Sequence, residues 1–218
     1  MSDIRPKPNY AQLEDSQLKW PHIFYQWVVV TSLKIYCNLR YKIVVEGLEN
    51  CPKDWQPMVV AANHVSSLDP PLVSVALHYR PISYLAKKEL FENNYWMRIY
   101  NIAMASISVN REKLELSTIK SAHKVLKSGK WALGIFPEGT RNKDRDTVGE
   151  AKKGVAYFAR SGKVPVLPLG IAHIPDSPRK RINICIGQPI PCEEDLDAFT
   201  EKIQANIAAL VERAKTLK

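Results

Sequence analysis

The sequence predicts an α/β fold: a mostly parallel or mixed central sheet covered by helices, with an N-terminal membrane-associated helical segment. Three observations predict it. Short β-branched runs alternate with longer helical patterns after Arg40, which is how a sheet with helical crossovers reads. The last 25 residues carry one apolar stripe at spacings of three and four. Residues 23–36 are apolar and aromatic, broken only by a few polar residues including Gln26 and Lys34.

That first stretch holds Phe24, Tyr25, Trp27, Val28, Val29, Val30, Leu33 and Ile35. Fourteen helical residues reach only about 21 Å, short of a hydrocarbon core of roughly 30 Å. Trp20, Tyr25, Trp27 and Tyr36, with Lys19, Lys34 and Arg40 nearby, suit the headgroup zone, so the segment is expected to lie in one leaflet or on its surface. The alternative is a helix packed on the protein's own core. Strands are expected at 43–45, 58–62, 82–86, 107–109, 132–136, 164–171 and 182–186. Helices are expected between them at 71–78, 95–103, 114–126 and 150–160. The final helix, 193–217, places Leu196, Phe199, Ile203, Ile207, Leu210, Ala214 and Leu217 on one face. Glu193, Glu194 and Asp195 at its start and Lys215 and Lys218 at its end match the helix dipole.

A chain of 218 residues can bury a core as one domain. Its 31 Lys and Arg against 22 Asp and Glu give a net charge of +9, which favours anionic partners. No helix-turn-helix, zinc or base-stacking block is present, so nucleic acid is not an expected partner. Cys37, Cys51, Cys185 and Cys192 form no C-x-x-C pair, which removes a zinc knuckle or dithiol motif; no metal and no cofactor is expected. The residues before Trp20 are too polar for a secretory signal, and four scattered cysteines read as reduced thiols.

The chemistry concentrates in two blocks, each after an apolar run. The first is Asn63-His64-Val65-Ser66-Ser67-Leu68-Asp69-Pro70. On a continuous helix His64 and Asp69 would be rotated about 140° apart, so they meet only if the chain turns. Pro70 disfavours helical geometry at Asp69, and Asp69 is expected to cap the helix that follows. An ionised Asp69 could then accept from one imidazole nitrogen of His64 and leave the other to take a proton. His22, His78, His123 and His173 lack such a setting and are read as structural. The second block is Phe136-Pro137-Glu138-Gly139-Thr140-Arg141, whose proline and glycine fit a tight turn ending a strand.

These blocks resemble those of the glycerolipid acyltransferases. Residues 63–69 match that family's NHxSxxD block, and residues 136–141 match its FPEGTR block without change. Val164-Pro165-Val166-Leu167-Pro168-Leu169 looks like its fourth, proline-containing block, and the segment 149–154 with Lys152 and Lys153 resembles the basic stretch after the third. The similarity runs from about residue 40 to 190, so 1–40 is read as the membrane-associated segment and 41–218 as the catalytic domain.

The resemblance implies transfer of a fatty acyl group from a thioester, acyl-ACP or acyl-CoA, to the hydroxyl of 1-acylglycerol 3-phosphate. It implies His64 as general base and Asp69 as its orienting partner. It also implies headgroup binding by Glu138 and Arg141, with Gly139 and Thr140 in the same turn. Arg111 is a second expected phosphate ligand and Lys152 a further cation, with Lys153 beside it. Ser108 and Asn110 depart from the family's usual aromatic and acidic residues, which leaves the finer acceptor specificity open. Glu138 and Arg141 could instead pair with each other and brace the turn. The Arg179-Lys180-Arg181 cluster reads as a charge patch facing a membrane or carrier. The expected setting is the cytoplasmic face of an anionic membrane, peripheral or monotopic. Other acceptors, glycerol 3-phosphate or a different lysophospholipid, and a non-catalytic anionic-lipid-binding protein remain the alternatives.

Overall fold

The structure, a computed structural model, describes residues 9–77, 80–110, 115–142, 144, 147–174 and 180–217. Arg111, His78 and Arg179 lie outside the described residues. Among the described residues seven strands form one sheet: β1 (Lys42–Glu46), β2 (Val59–Ala62), β3 (Ile82–Lys87), β4 (Ile107–Val109), β5 (Ala132–Ile135), β6 (Val166–Ile174) and β7 (Arg181–Ile186). Their order is β1-β7-β6-β2-β5-β3-β4. Every neighbouring pair is parallel except β6 and β7, which run antiparallel with Leu169 opposite Ile186 and Ile174 opposite Arg181. The sheet is therefore mixed, with β2 at its centre.

Among the described residues seven α-helices cover it: α1 (Trp20–Arg40), α2 (Asp69–Ala76), α3 (Glu89–Glu92), α4 (Tyr95–Ala103), α5 (Leu116–Lys127), α6 (Gly154–Gly162) and α7 (Leu196–Thr216). Each sheet face has its own core, because residues alternate sides along a strand. Val59 and Ala61 join α5, α6 and α7 residues such as Val125, Phe158 and Ile203. Val60 and Ala62 join α1 and α2 residues such as Val30, Cys37, Leu72 and Val73. Strands buried on both faces explain the unbroken apolar runs in the sequence.

Several helix bounds shift by two or three residues and α3 was not expected; the two largest departures are at α6 and α1. The helix expected at 150–160 starts only at Gly154, because the preceding amides are taken by tertiary partners. Gly149 N–H donates to Glu138 Oε2, Ala151 N–H to Gln204 Oε1 and Lys152 N–H to the Pro137 carbonyl. α1 is longer than the stretch read from its apolar residues: 21 residues, about 31 Å at 1.5 Å per residue. Its failure to qualify as a membrane span is thus a matter of polar content, not of length. No described helix is long and apolar enough to cross a membrane.

α1 settles part of the choice posed by its sequence. It buries Gln26, Val30 and Cys37 and packs against α2 and α4. Gln26 donates to the Ile82 carbonyl at 2.8 Å and accepts from the Ile82 amide at 3.2 Å, tying the helix to the start of β3. Its other face leaves Trp20, Phe24, Tyr25, Trp27, Ile35, Tyr36 and Leu39 exposed.

An edge strand and an interior strand of the sheet are each covered closely. At β4, the Ser108 amide donates to the Tyr10 carbonyl, and Ser121 Oγ both donates to the Ala11 carbonyl and accepts from the Leu13 amide. At β6, Gly170 faces α7 so closely that any Cβ would collide with the Leu210 and Val211 backbone. Gly170→Ala is expected to destabilise the protein by about 1–3 kcal/mol, read as a lower midpoint in chemical unfolding.

Candidate active site

β2 and β5 are adjacent, and both candidate blocks leave the sheet at its C-terminal edge, where open α/β sheets hold ligands. Asn63 ends β2 by turning its side-chain amide onto β6. Nδ2 donates to the Ile171 carbonyl at 2.9 Å and Oδ1 accepts from the Ile171 amide at 2.8 Å. The side chain continues the strand pairing while the backbone departs.

The loop after β5 then holds the backbone of His64 on both sides. Its amide donates to Glu138 Oε1 at 2.8 Å, and its carbonyl accepts from the Asn142 amide at 2.7 Å. His64 Nδ1 lies 2.9 Å from Asp69 Oδ2. An ionised carboxylate can only accept, so Nδ1 carries a proton; in the neutral imidazole this leaves Nε2 as the acceptor. Phe136 stacks on the imidazole at a centroid distance of 4.3 Å and fixes the ring plane. Tyr84 lies beyond Phe136 and donates to the Pro70 carbonyl at 2.9 Å; burial pushes its phenol well above the usual range.

The turn between His64 and Asp69 closes on the carboxylate itself. Asp69 Oδ2 accepts from the Val65 and Ser66 amides, each at 2.7 Å. Asp69 is the first residue of α2, and Leu68 occupies the N-cap position. The expectation of an Asp69 cap is therefore corrected: the side chain folds back on the preceding loop instead of onto the helix amides. Burial alone would raise the Asp69 carboxyl, but donors from His173, His64 and the Ser66 amide outweigh it and hold the group below the usual carboxylate range.

Glu138 turns inward. It is buried, and both carboxylate oxygens serve backbone amides, those of His64 and Gly149. It braces the loop that carries His64, and its two oxygens bond to these amides and not to Arg141. Burial raises its carboxyl above the ordinary glutamate value, opposed by those two amides. Gly139 takes the left-handed conformation, φ +70°, with the Lys152 side chain lying across it. Thr140 and Arg141 are exposed, and Arg141 directly precedes the Asn142 amide that bonds to His64. Thr140, Arg141, Lys152 and Glu138 line an open cavity of about 820 Å³. Lys153 is partly neutralised by Asp197 at 2.5 Å.

Two residues of the site escaped the sequence reading. Asn63 heads the first block but was given no role of its own, although an Asn directly after a buried strand is a signal for this kind of strand-end lock. His173 was read as structural, yet its Nε2 lies 3.4 Å from Asp69 Oδ1. Only the β2–β6 register brings it there. Among the described residues no His, Cys, Asp and Glu cluster could hold a metal.

Glu138→Gln would set an amide NH₂ against a backbone N–H. The variant is expected to lose about 1–3 kcal/mol of stability, read by thermal unfolding. A side chain serving only the headgroup would leave the unfolding midpoint unchanged.

Comparison with known proteins agrees with this architecture. The acyltransferase family model matches residues 42–172, more than half of the chain. A 1-acyl-sn-glycerol-3-phosphate acyltransferase of Bacillus subtilis is 32% identical over 192 residues, covering 82% of this chain and 93% of its own. One from Streptococcus pneumoniae is 25% identical over 207 residues, covering 86% of this chain and 72% of its own. The crystal structure of the 1-acyl-sn-glycerophosphate acyltransferase PlsC from Thermotoga maritima superimposes with a TM-score of 0.68 at 26% identity, covering 91% of this chain and 80% of the other. The chain belongs to the acyltransferase family, alongside the 1-acylglycerol-3-phosphate acyltransferases, and is an O-acyltransferase.

Proposed function

We propose that the protein acylates 1-acylglycerol 3-phosphate from a thioester donor, giving phosphatidic acid. The observation that carries this is the Nδ1–Oδ2 contact of His64 with a buried Asp69, beside an exposed Arg141 at the same sheet edge. His64 Nε2 takes the proton of the acceptor hydroxyl. The alkoxide oxygen bonds to the thioester carbonyl carbon, the tetrahedral intermediate collapses, the C–S bond breaks, and the departing thiolate takes the proton back from His64. Asp69 stabilises the transient imidazolium. No acyl-enzyme is needed, and no cysteine takes part in the contacts around His64. The donor is acyl-ACP or acyl-CoA.

Arg141 supplies a planar pair of donors suited to a phosphate, with Lys152 as a second charge and the Gly139–Thr140 turn between them. Arg111, the remaining expected phosphate ligand, would add a third cation.

The acceptor is a lipid, and the exposed aromatic surface supports a peripheral or monotopic membrane position. α4 extends the face of α1: Tyr95, Trp96, Ile99 and Ile102 are exposed, and the Ile102 carbonyl accepts from His22 Nε2 on α1 at 2.6 Å. α4 starts near the C-terminal ends of β3 and β4 and runs back toward α1. Its aromatic start thus lies toward the edge that carries His64. Lys19, Lys34, Arg40 and Arg98 flank these rings in a manner suited to an anionic, cytoplasmic-side surface.

His64→Ala is expected to lose about 100- to 10,000-fold in transfer rate while folding normally. Purified protein would be assayed with both donors against 1-acylglycerol 3-phosphate, glycerol 3-phosphate and other lysophospholipids. Wild-type transfer by His64→Ala removes the assigned base, and preference for another acceptor replaces the substrate. For the membrane, combined Trp20→Ser, Trp27→Ser and Trp96→Ser should weaken sedimentation with anionic phospholipid vesicles at least about tenfold. Undiminished binding would move the contact elsewhere on the surface.

A further inference from the structure

We propose that His173 is a positioning residue for the acyl transfer, holding the second oxygen of Asp69 so that the first stays aimed at His64. The inference rests on the function proposed above and adds to it a residue outside the blocks that carry the family resemblance.

The contacts of the carboxylate are unequal. Oδ2 receives three donors: the Val65 and Ser66 amides at 2.7 Å and His64 Nδ1 at 2.9 Å. Oδ1 faces His173 Nε2 at 3.4 Å. Asp69 has no solvent exposure, so an unpaired Oδ1 would be a buried anionic oxygen without compensation. His173 answers that need with a side chain that is itself only 16% exposed. The contact is long for a hydrogen bond, and no closer donor to Oδ1 is seen among the described residues.

His173 reaches this place through the sheet. It lies on β6, paired with Ile182 of β7, two residues after Ile171 and so on the same strand face. Ile171 is the residue that Asn63 grips through both its amide and its carbonyl. Asn63 is followed by His64, and a closed ring results: His64, Asn63, Ile171, His173, Asp69 and back to His64. A carboxylate held at both oxygens cannot turn about its Cβ–Cγ bond. The direction of Oδ2, and with it the tilt of the imidazole, is thereby set from β6.

The second donor also draws charge off the carboxylate. The titratable groups facing that carboxylate among the described residues are His64 from the loop after β2, His173 from β6 and Glu138 from the loop after β5. With His173 replaced by an apolar residue, more negative charge rests opposite His64. The protonated imidazole is then favoured, and the base stays blocked to higher pH.

The test compares His173→Leu, which fills the space without a donor, with His173→Gln, whose terminal amide reaches the position of Nε2. Both are checked for folding by thermal unfolding. His173→Leu should lower kcat about 10- to 100-fold with KM for the lysophospholipid unchanged, the effect of losing one hydrogen bond to a charged group. The acid limb of its pH–rate profile should move to higher pH, and His173→Gln should recover most of both effects. A second readout needs no turnover: the pH dependence of His64 modification by diethyl pyrocarbonate, followed by peptide mass, should shift in the same direction. If Leu and Gln variants behave alike, or if kcat and both pH profiles match the wild type, the positioning role is overturned. Absence of transfer by the wild-type protein would instead overturn the proposed function, and the modification profile would still decide the role of His173.

Discussion

One fully buried carboxylate organises this site. Asp69 sits out of water with four donors around it, two from amides of its own loop and two from imidazoles on different strands' ends. A buried anion is tolerable only when its lone pairs are met, so the loop from Asn63 to Asp69 must adopt the conformation that meets them. That requirement determines where the chain turns, where α2 begins and which way His64 points. The imidazole is then a consequence of the acid and not the reverse.

The sheet supplies the rest of the constraint. β2 lies between β5 and β6, and each neighbour contributes to the end of β2 by a different route. β6 receives the Asn63 side chain as a substitute strand residue. β5 returns a loop whose Glu138 and Asn142 hold the His64 backbone. Glu138 is a charged residue acting as a backbone partner, which explains why a segment matching a binding block has its glutamate turned inward. Arg141 of the same block and Lys152 of the stretch that follows it are exposed and line the cavity.

The strands were legible because a sheet buried on both faces demands continuous β-branched runs, and each of these lies within a few residues of its expected place. α7 was legible for the complementary reason: one side faces a core and the other faces solvent. Its stripe shifts near the end, where Val211 is more buried than Leu210, since 3.6 residues per turn does not keep one column for six turns. What sequence could not place were features fixed by register between distant segments. His173 reaches Asp69 across 104 residues of chain, and nothing local to Ile171-Ala172-His173 distinguishes it from a strand-end histidine. The late start of α6 has the same origin, because its would-be first amides are claimed by Glu138, Pro137 and Gln204. The side chain of Asp69 misled for a subtler reason: a proline after an aspartate fits both a helix cap and a fold-back turn.

The pairing of Ser108 with the Tyr10 carbonyl bears on self-association. β4 is an outermost strand, and an open row of amides and carbonyls there would invite a second molecule to add its own strand. Residues 10–13 occupy part of that row and are fastened through Ser121, so the flank is blunted from within the same chain. A copy approaching this side meets a border at which the Ser108 amide is already engaged.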